Sequence, residues 1–142
     1  MSIITSGLEN KQWFKIIRLG IQDYFLQKDK YGDVLKEFVY VLPEETEDKT
    51  TGKQELSVVA LKDMHADPEK SFILDDRPYG IIAAKRSGVK YGIRLRRGKY
   101  IEEEYPKATE KILRPDYEVE SLDEAIEAIL ELEETSGLGQ AS

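Results

Sequence analysis

The feature of this chain that most constrains its fold is an alternation of short apolar runs with amphipathic segments. Five runs have the length and the β-branched or aromatic character of strands, and they cover residues 2–5, 38–42, 71–74, 89–96 and 117–119. The segments between them carry apolar residues at helical spacing. Short connections between alternating strands and helices favour parallel strands joined by right-handed crossovers. The sequence therefore predicts an α/β protein, a three-layer α/β/α sandwich with a mostly parallel sheet.

Local signals give the ends and the buried faces of the predicted helices. Ser6-Gly-Leu-Glu9 and Ser121-Leu-Asp-Glu124 have the form of a capping box, so each is predicted to open a helix. Gly20 and Gly88 are predicted to end helices, because glycine adopts the left-handed conformation there at little cost. Helical spacing predicts that two sets of side chains face the core: Trp13, Phe14, Ile17 and Ile21 in the first helix, and Leu122, Ile126, Ile129 and Leu130 in the last.

Length and composition indicate one soluble domain. The 142 residues suit a single core, predicted to span 1–135, with a flexible tail over 136–142. The chain has no cysteine, which excludes disulfides and thiolate metal sites. No apolar run approaches the roughly 18 residues needed to span a bilayer, and the first residues lack the pattern of a secretory signal. A cytoplasmic protein that binds no membrane is therefore predicted.

Charge argues against nucleic acid as a partner. The net charge is −7, whereas binding to a phosphate backbone requires an excess of lysine and arginine. One basic stretch, Arg94-Leu-Arg-Arg-Gly-Lys99, runs against this balance. Its alternation predicts a strand with its charged side chains on the solvent side.

Polar residues follow the predicted first strand at Thr5-Ser6-Gly7, where a helix begins. In parallel α/β folds ligands bind beyond the carboxyl ends of the strands. The exposed N–H groups and positive end of a helix N-terminus attract phosphate, and the hydroxyl of Thr5 adds a donor. The alternative is that Ser6 only caps its helix.

Two adjacent aspartates, Asp75 and Asp76, end the apolar run at 71–74. Neighbouring carboxylates raise each other's pKa unless a cation holds them. Paired oxygen ligands without histidine or cysteine suit a hard cation such as Mg²⁺. In the alternative, one aspartate caps the following helix while the other pairs with Arg77.

Other catalytic signals are weak. Lys53, in Thr51-Gly-Lys-Gln54, lies where the acidic loop over 44–51 is predicted to give way to a helix, and it either reaches the same crevice or is a solvated surface group. The one histidine, His65, has no neighbouring ligand. The sequence shows no Ser/His/Asp set, no G-x-G-x-x-G after a strand and no Walker loop, which disfavours a nucleotide cofactor.

Taken in order, these stretches resemble the haloacid dehalogenase-like (HAD) hydrolase superfamily. The resemblance is carried by Ile3-Ile-Thr-Ser-Gly7, Gly52-Lys53, Phe72-Ile-Leu-Asp-Asp76 and Gly80-Ile-Ile-Ala-Ala-Lys-Arg-Ser-Gly-Val89, with Pro115–Leu122 matching the family's last strand and helix. It implies a Mg²⁺-dependent phosphatase acting on a small phosphorylated metabolite. Thr5 and Lys53 would be catalytic and would bind phosphate together with Ser6 and Gly7, while Asp75 and Asp76 would hold the metal.

One part of the family pattern is absent, because no D-x-D motif occurs in the 142 residues. In the family the first aspartate of that motif attacks phosphorus, from a central strand between those that here end at Thr5 and Asp76. We therefore expect a truncated or split HAD-like protein that lacks this first strand and has little or no activity alone. Its nucleophile would come from an upstream segment or a second polypeptide, and dimerisation is another expected way to cover the edges left open.

Two other hypotheses remain from the sequence. A degenerate HAD-like fold would bind metal, phosphate or a protein partner without turnover. A response-regulator-like receiver shares the acidic pair and the Lys/Thr pattern but fits less well, because its acidic pair comes on the first strand. The substrate is not specified, since specificity in such enzymes lies in cap and loop residues that this chain lacks.

Overall fold

A computed structural model describes residues 1–136, and within them the chain forms seven strands and four α-helices. The strands are β1 (Ile3–Ser6), β2 (Leu26–Lys28), β3 (Val34–Glu37), β4 (Val39–Leu42), β5 (Phe72–Asp75), β6 (Tyr91–Leu95) and β7 (Tyr117–Val119). The helices are α1 (Glu9–Arg18), α2 (Lys49–Asp63), α3 (Pro78–Arg86) and α4 (Leu122–Ser136). None of these helices is long and apolar enough to cross a membrane. The predicted α/β class is confirmed.

The chain divides into two compact units, Met1–Ala66 and a second that begins at Asp67. The first contains β1 to β4 with α1 and α2, and the second contains β5 to β7 with α3 and α4. The single domain over 1–135 stays a prediction. The predicted tail over 136–142 lies outside the described residues, apart from Ser136 at the end of α4.

In the first unit β1 and β4 pair in parallel, with Ile3 opposite Val39 and Ser6 opposite Leu42. Helix α2 packs on both strands, and α1 packs on β1. Between α1 and β4 the chain forms an antiparallel hairpin of β2 and β3, whose turn is fixed by the Asp29 carboxylate. This hairpin was not predicted, and it interrupts the alternation of strands and helices.

In the second unit β5, β6 and β7 form a parallel sheet in that order. Ile93 of β6 packs against α4, whereas a Cβ added to the next-door Gly92 would touch Ile81 of α3. Because successive side chains of a strand point to opposite faces, α3 and α4 cover opposite faces of this sheet. Within this unit the predicted three layers are present.

Several apolar residues expected in the core are exposed. On α4 the buried face consists of Ala125, Ala128 and Leu132, while Leu122, Ile126 and Leu130 are more than half exposed. Small alanines let the helix lie close to the sheet, and the larger residues are turned aside. Phe14 and Ile17 of α1 are exposed as well. So are Phe72 and Leu74 of β5, in the apolar run at 71–74.

The helix ends agree with the sequence in part. Gly20 and Gly88 have φ values of 68° and 104° just after α1 and α3, as predicted. The Ser121 hydroxyl accepts a hydrogen bond from the backbone N–H of Glu124 at 3.2 Å, so half of the second capping box forms. The Glu124 carboxylate accepts instead from the N–H of Glu120 at 3.2 Å. The first does not, because α1 begins at Glu9 and its cap residue is Leu8, with no side-chain cap. Helix α2 begins at Lys49, inside the predicted acidic loop.

Candidate functional site

The first predicted group, Thr5-Ser6-Gly7, lies at the carboxyl end of β1 and leads towards α1. Gly7 has φ 136°, a conformation that favours glycine, and its N–H donates to the carbonyl oxygen of Leu42 at 3.0 Å. Glu9 occupies the first turn of α1. Its charge opposes the binding of an anion at this helix end, although the backbone groups favour it.

Gln12 of α1 contacts this strand end, and no sequence pattern predicted it. The Thr5 hydroxyl donates to Gln12 Oε1 at 3.2 Å, and Gln12 Nε2 donates to the Ser6 carbonyl oxygen at 3.2 Å. The same Nε2 lies 2.6 Å from the position of a Cβ added to Gly7. A glutamine in the first turns of a helix carries no signal by itself, so only the folded structure shows that it holds Thr5.

Lys53 is buried, with 8% of its surface exposed, so the alternative of a solvated surface lysine is wrong. The preceding Gly52 explains its position, because a Cβ there would lie 2.6 Å from Leu42 Cδ1. Helix α2 can therefore approach the end of β4 closely, and Leu42 is the register partner of Ser6. Lys53 and the Ser6–Gly7 turn thus lie at the same end of the sheet in the first unit.

In the second unit Asp75 is the last residue of β5, and its carboxylate is fixed by the start of α3. Asp75 Oδ1 accepts a hydrogen bond from the backbone N–H of Arg77 at 3.0 Å. Asp75 Oδ2 lies only 1.9 Å from where a Cβ on Gly80 would be, so the carboxylate occupies the space that this glycine leaves. The alternative in which one aspartate satisfies the start of the helix is therefore correct in part, since Arg77 is the cap residue of α3.

The Arg77 side chain is held by Glu103. Arg77 Nε and Nη2 donate to the two carboxylate oxygens of Glu103 at 2.9 and 3.1 Å, and the guanidinium lies 4.1 Å from the ring centre of Tyr100 and 4.5 Å from that of Tyr79. Burial lowers the pKa of Arg77, but its hydrogen bond and charge interaction with Glu103 outweigh burial and raise this pKa. The bidentate partner of Arg77 is thus Glu103, whereas the sequence suggested an adjacent aspartate.

Arg94 is fully buried on β6, in register with Asp75, so the prediction that it faces solvent is wrong. Its Nη2 donates to the backbone carbonyls of Tyr100 (3.4 Å) and Glu103, and its Nη1 lies 3.8 Å from a carboxylate oxygen of Glu118. We call residues 97–105, which Arg94 holds in this way, the strap. Within the described residues, Arg94 Nε and Nη1 have no hydrogen-bond partner.

Tyr105 ends the strap with a buried hydroxyl that has no hydrogen-bond partner among residues 1–136. Burial raises the pKa of this phenol, and the charge of Arg94 opposes that effect. The tyrosine therefore stays protonated in the folded protein at a pH where the unfolded chain begins to ionise, above about pH 10. The raised pKa makes the folded state less stable as the pH rises through this range.

Replacing Tyr105 with phenylalanine is expected to leave the free energy of unfolding at pH 7 unchanged or raised by up to about 1 kcal/mol, since it removes an unpaired buried hydroxyl. The variant should also lose less stability than the wild type between pH 9 and pH 11. Urea unfolding at each pH measures both effects, with Tyr24→Phe at an exposed tyrosine as the control. A large loss at pH 7 would show that the hydroxyl has a partner after all.

The residues that could hold a metal are Asp75 and Asp76. The described part of the chain contains no group of three or more His, Asp or Glu side chains arranged to hold a metal ion. Mg²⁺ does not need such a cage, because it is commonly held by one or two carboxylates together with water and substrate phosphate. The binding of Mg²⁺ by these two carboxylates therefore stays a prediction.

The predicted site residues fall into two groups in different units. Thr5, Ser6, Gly7 and Lys53 belong to the first unit, and Asp75 and Asp76 to the second. Their convergence on one pocket stays a prediction.

The chain is similar to glyceraldehyde 3-phosphate phosphatase of Methanopyrus kandleri, with 32% identity over 133 residues. The match covers 93% of this chain and 50% of that protein, so the chain spans about half the length of its relative. No protein-family model matches the chain.

Proposed function

We propose that this chain is the HAD-like hydrolase part of a Mg²⁺-dependent phosphomonoester phosphatase whose nucleophilic aspartate is supplied from elsewhere. The observation that carries the proposal is the likeness, over 93% of the chain, to a phosphatase. The positions of the polar residues support it, because Thr5 and Asp75 each stand at the end of a parallel strand. A small phosphorylated metabolite in the cytoplasm is the proposed substrate, and glyceraldehyde 3-phosphate is the first to assay.

In this proposal the first unit binds the phosphoryl group. Thr5 would donate its hydroxyl to a phosphoryl oxygen, exchanging its present acceptor Gln12 for the substrate. The backbone N–H groups after Ser6 would add further donors at the end of the strand. The buried ammonium of Lys53 would balance the charge of the phosphoryl group and orient the nucleophile, and its burial strengthens this interaction.

The second unit would hold the metal through Asp75 and Asp76. A bound Mg²⁺ supplies positive charge against the phosphoryl oxygens. The protein's own part is to keep the Asp75 carboxylate in place, which it does through the N–H of Arg77 and the close approach of Gly80. A carboxylate held in this way loses little conformational freedom when it binds a cation.

The nucleophile is the missing part. An aspartyl-phosphate intermediate needs a carboxylate on a strand that reaches the phosphorus atom, and the 142 residues contain no D-x-D motif. We propose that a complementing segment or a second polypeptide supplies it. Two copies of this chain could cover exposed edges in a homodimer, but they would bring no D-x-D motif.

A second candidate is a degenerate HAD-like protein that binds metal, phosphate or a protein partner without turnover. One observation favours it: the Thr5 hydroxyl is already engaged by Gln12. Metal binding is compatible with both candidates, and they differ in whether turnover appears once a nucleophile is supplied.

Magnesium binding tests what the two candidates share. Titration calorimetry with Mg²⁺ is expected to show one site per chain, and Asp75→Asn or Asp76→Asn should each weaken the affinity at least about tenfold, since each removes one of two carboxylate ligands. Asp123→Asn, at an exposed aspartate in the first turn of α4, is the matched control and should bind Mg²⁺ as the wild type does. Equal affinities for all four proteins would contradict the assignment.

Phosphatase assays then separate the two candidates. With Mg²⁺ and either p-nitrophenyl phosphate or glyceraldehyde 3-phosphate, the chain alone should show little or no turnover. Robust turnover that Asp76→Asn abolishes would mean that the nucleophile lies within the 142 residues. The coding sequence upstream of Met1 decides the split hypothesis: an apolar strand ending in D-x-D supports it, and unrelated sequence favours the degenerate protein.

A further inference from the structure

The acidic pair, Asp75 and Asp76, is followed directly by an arginine, and the structure shows which carboxylate its guanidinium binds. Arg77 comes one residue after Asp76, and its backbone N–H already binds the Asp75 carboxylate. A guanidinium this close would be a ready counter-ion for either aspartate and would compete with a divalent cation for the same oxygens. Its bidentate bonds, however, go to Glu103.

Glu103 is presented by the strap, which is itself fastened to β6. Arg94 donates to two carbonyl oxygens of the strap, at Tyr100 and Glu103, and Arg96 donates to a third, at Ile101, at 3.3 Å. Anchoring of its backbone places the Glu103 carboxylate against Arg77 and the Tyr100 ring over the same guanidinium. The strap therefore holds Arg77 from an edge and from one face.

The ion pair of Arg77 and Glu103 is partly buried, and its geometry is well defined. The side chain of Arg77 is 28% exposed and that of Glu103 is 32% exposed. Two parallel N–H···O bonds with rings on the guanidinium define one direction for the Arg77 side chain, which a single surface ion pair would not do. Removing Glu103 would release a charged and flexible side chain on the residue directly after Asp76, a candidate metal ligand.

We propose that Glu103 is a positioning residue for the acidic pair: it binds the Arg77 guanidinium, so that Arg77 does not compete with Mg²⁺ for the carboxylates of Asp75 and Asp76. The inference rests on the proposed metal-binding role of the two aspartates. Glu103 itself touches neither the metal nor the substrate, and it acts through Arg77. Without it, Arg77 turns to the aspartates and neutralises them.

A thermal-unfolding cycle in EDTA tests the redirection of Arg77 without any metal. The four proteins are the wild type, Asp76→Asn, Glu103→Gln and the double variant. If Arg77 turns to the aspartates when Glu103 is neutralised, Asp76→Asn should lower Tm by at least about 2 °C more in the Glu103→Gln background than in the wild type. Other contacts of Asp76 cancel in this comparison. Equal shifts in both backgrounds would overturn the proposal.

Mg²⁺ titration of the whole chain tests the consequence. Glu103→Gln should weaken Mg²⁺ binding about tenfold, and Arg77→Met combined with Glu103→Gln should restore it to within about threefold, because the competing cation is gone. Glu104→Gln is the matched control: it removes the same charge from the neighbouring residue, which pairs with Arg96, and should change the affinity less than about twofold. Equal effects of the two glutamine variants, or no recovery in the double variant, would overturn the proposal.

The two measurements separate this inference from the proposed function. If the wild type binds Mg²⁺ no better than Asp76→Asn, the metal assignment fails while the EDTA cycle still decides whether Glu103 holds Arg77 off the aspartates. If the wild type binds Mg²⁺ and Glu103→Gln binds it equally well, the metal assignment stands and the role of Glu103 is wrong.

Discussion

Gly80→Ala is expected to destabilise the protein by about 2 kcal/mol and to weaken Mg²⁺ binding, because the added methyl group collides with the Asp75 carboxylate. The new Cβ would lie 1.9 Å from Asp75 Oδ2 and 2.4 Å from its Cγ, far inside any allowed contact. Alanine improves the helix propensity of α3 by about 1 kcal/mol, whereas overpacking of a buried position costs about 3 kcal/mol. The cost of the clash exceeds the gain in helix propensity, so the net effect is a loss of stability. The Asp75 carboxylate must move to relieve the clash.

The matched control for this substitution is Gly52→Ala, at the other helical glycine that contacts a strand end. There the added Cβ would lie 2.6 Å from Leu42 Cδ1, 3.1 Å from Leu42 Cδ2 and 3.3 Å from Thr46 Cγ2. These are ends of side chains that can shift, whereas the Asp75 carboxylate is held by a backbone N–H. Urea unfolding should show a loss below about 1 kcal/mol, and Mg²⁺ titration should show no change. A Gly80→Ala protein as stable as the wild type would mean that Asp75 is not held against α3.

Strand positions were predictable from the sequence because apolar runs with turn signals specify them locally. The predicted run at 117–119 coincides with β7, and those at 38–42 and 71–74 differ from β4 and β5 by one residue at one or both ends. The hairpin of β2 and β3 was missed, since its strands are short and β3 is exposed along its length, so no apolar alternation marks it. The buried face of α4 was predicted wrongly for another reason. Close packing against the sheet buries the small residues Ala125 and Ala128, whereas hydrophobicity alone predicts that the larger residues are buried.

The candidate site was predictable where it depends on chain position and not where it depends on long-range contacts. That Thr5 lies next to the end of one parallel strand and Asp75 at the end of another follows from the local pattern. The partners of these residues come from elsewhere: Gln12 binds the Thr5 hydroxyl, and Glu103, 26 residues further along the chain, takes Arg77. Arg94 was predicted to face solvent because the alternation of residue types separates the two faces of a strand. It does not show which of these faces the strap covers.

Arg94→Ala is expected to lower the free energy of unfolding by about 3 to 5 kcal/mol, the range found when one partner of a buried charged network is removed. The side chain is fully buried, so its loss leaves a cavity beside β6. It also leaves two strap carbonyls, those of Tyr100 and Glu103, without their donor. Urea unfolding measures the stability, and trypsin cleavage after Arg97 and Lys99 reports whether the strap opens.

Arg96→Ala is the matched control, because Arg96 lies two residues further along and shares the partner Glu118. It is 28% exposed, and its ion pairs with Glu104 and Glu118 and its bond to the strap carbonyl of Ile101 are exposed to solvent, so its loss should cost only about 1 kcal/mol or less. If both variants lose the same stability, the burial of Arg94 contributes nothing beyond a surface ion pair. If only Arg94→Ala is strongly destabilised and its strap is cleaved faster, the buried guanidinium of Arg94 holds the strap. The geometry that directs Arg77 to Glu103 then depends on a residue outside the acidic pair.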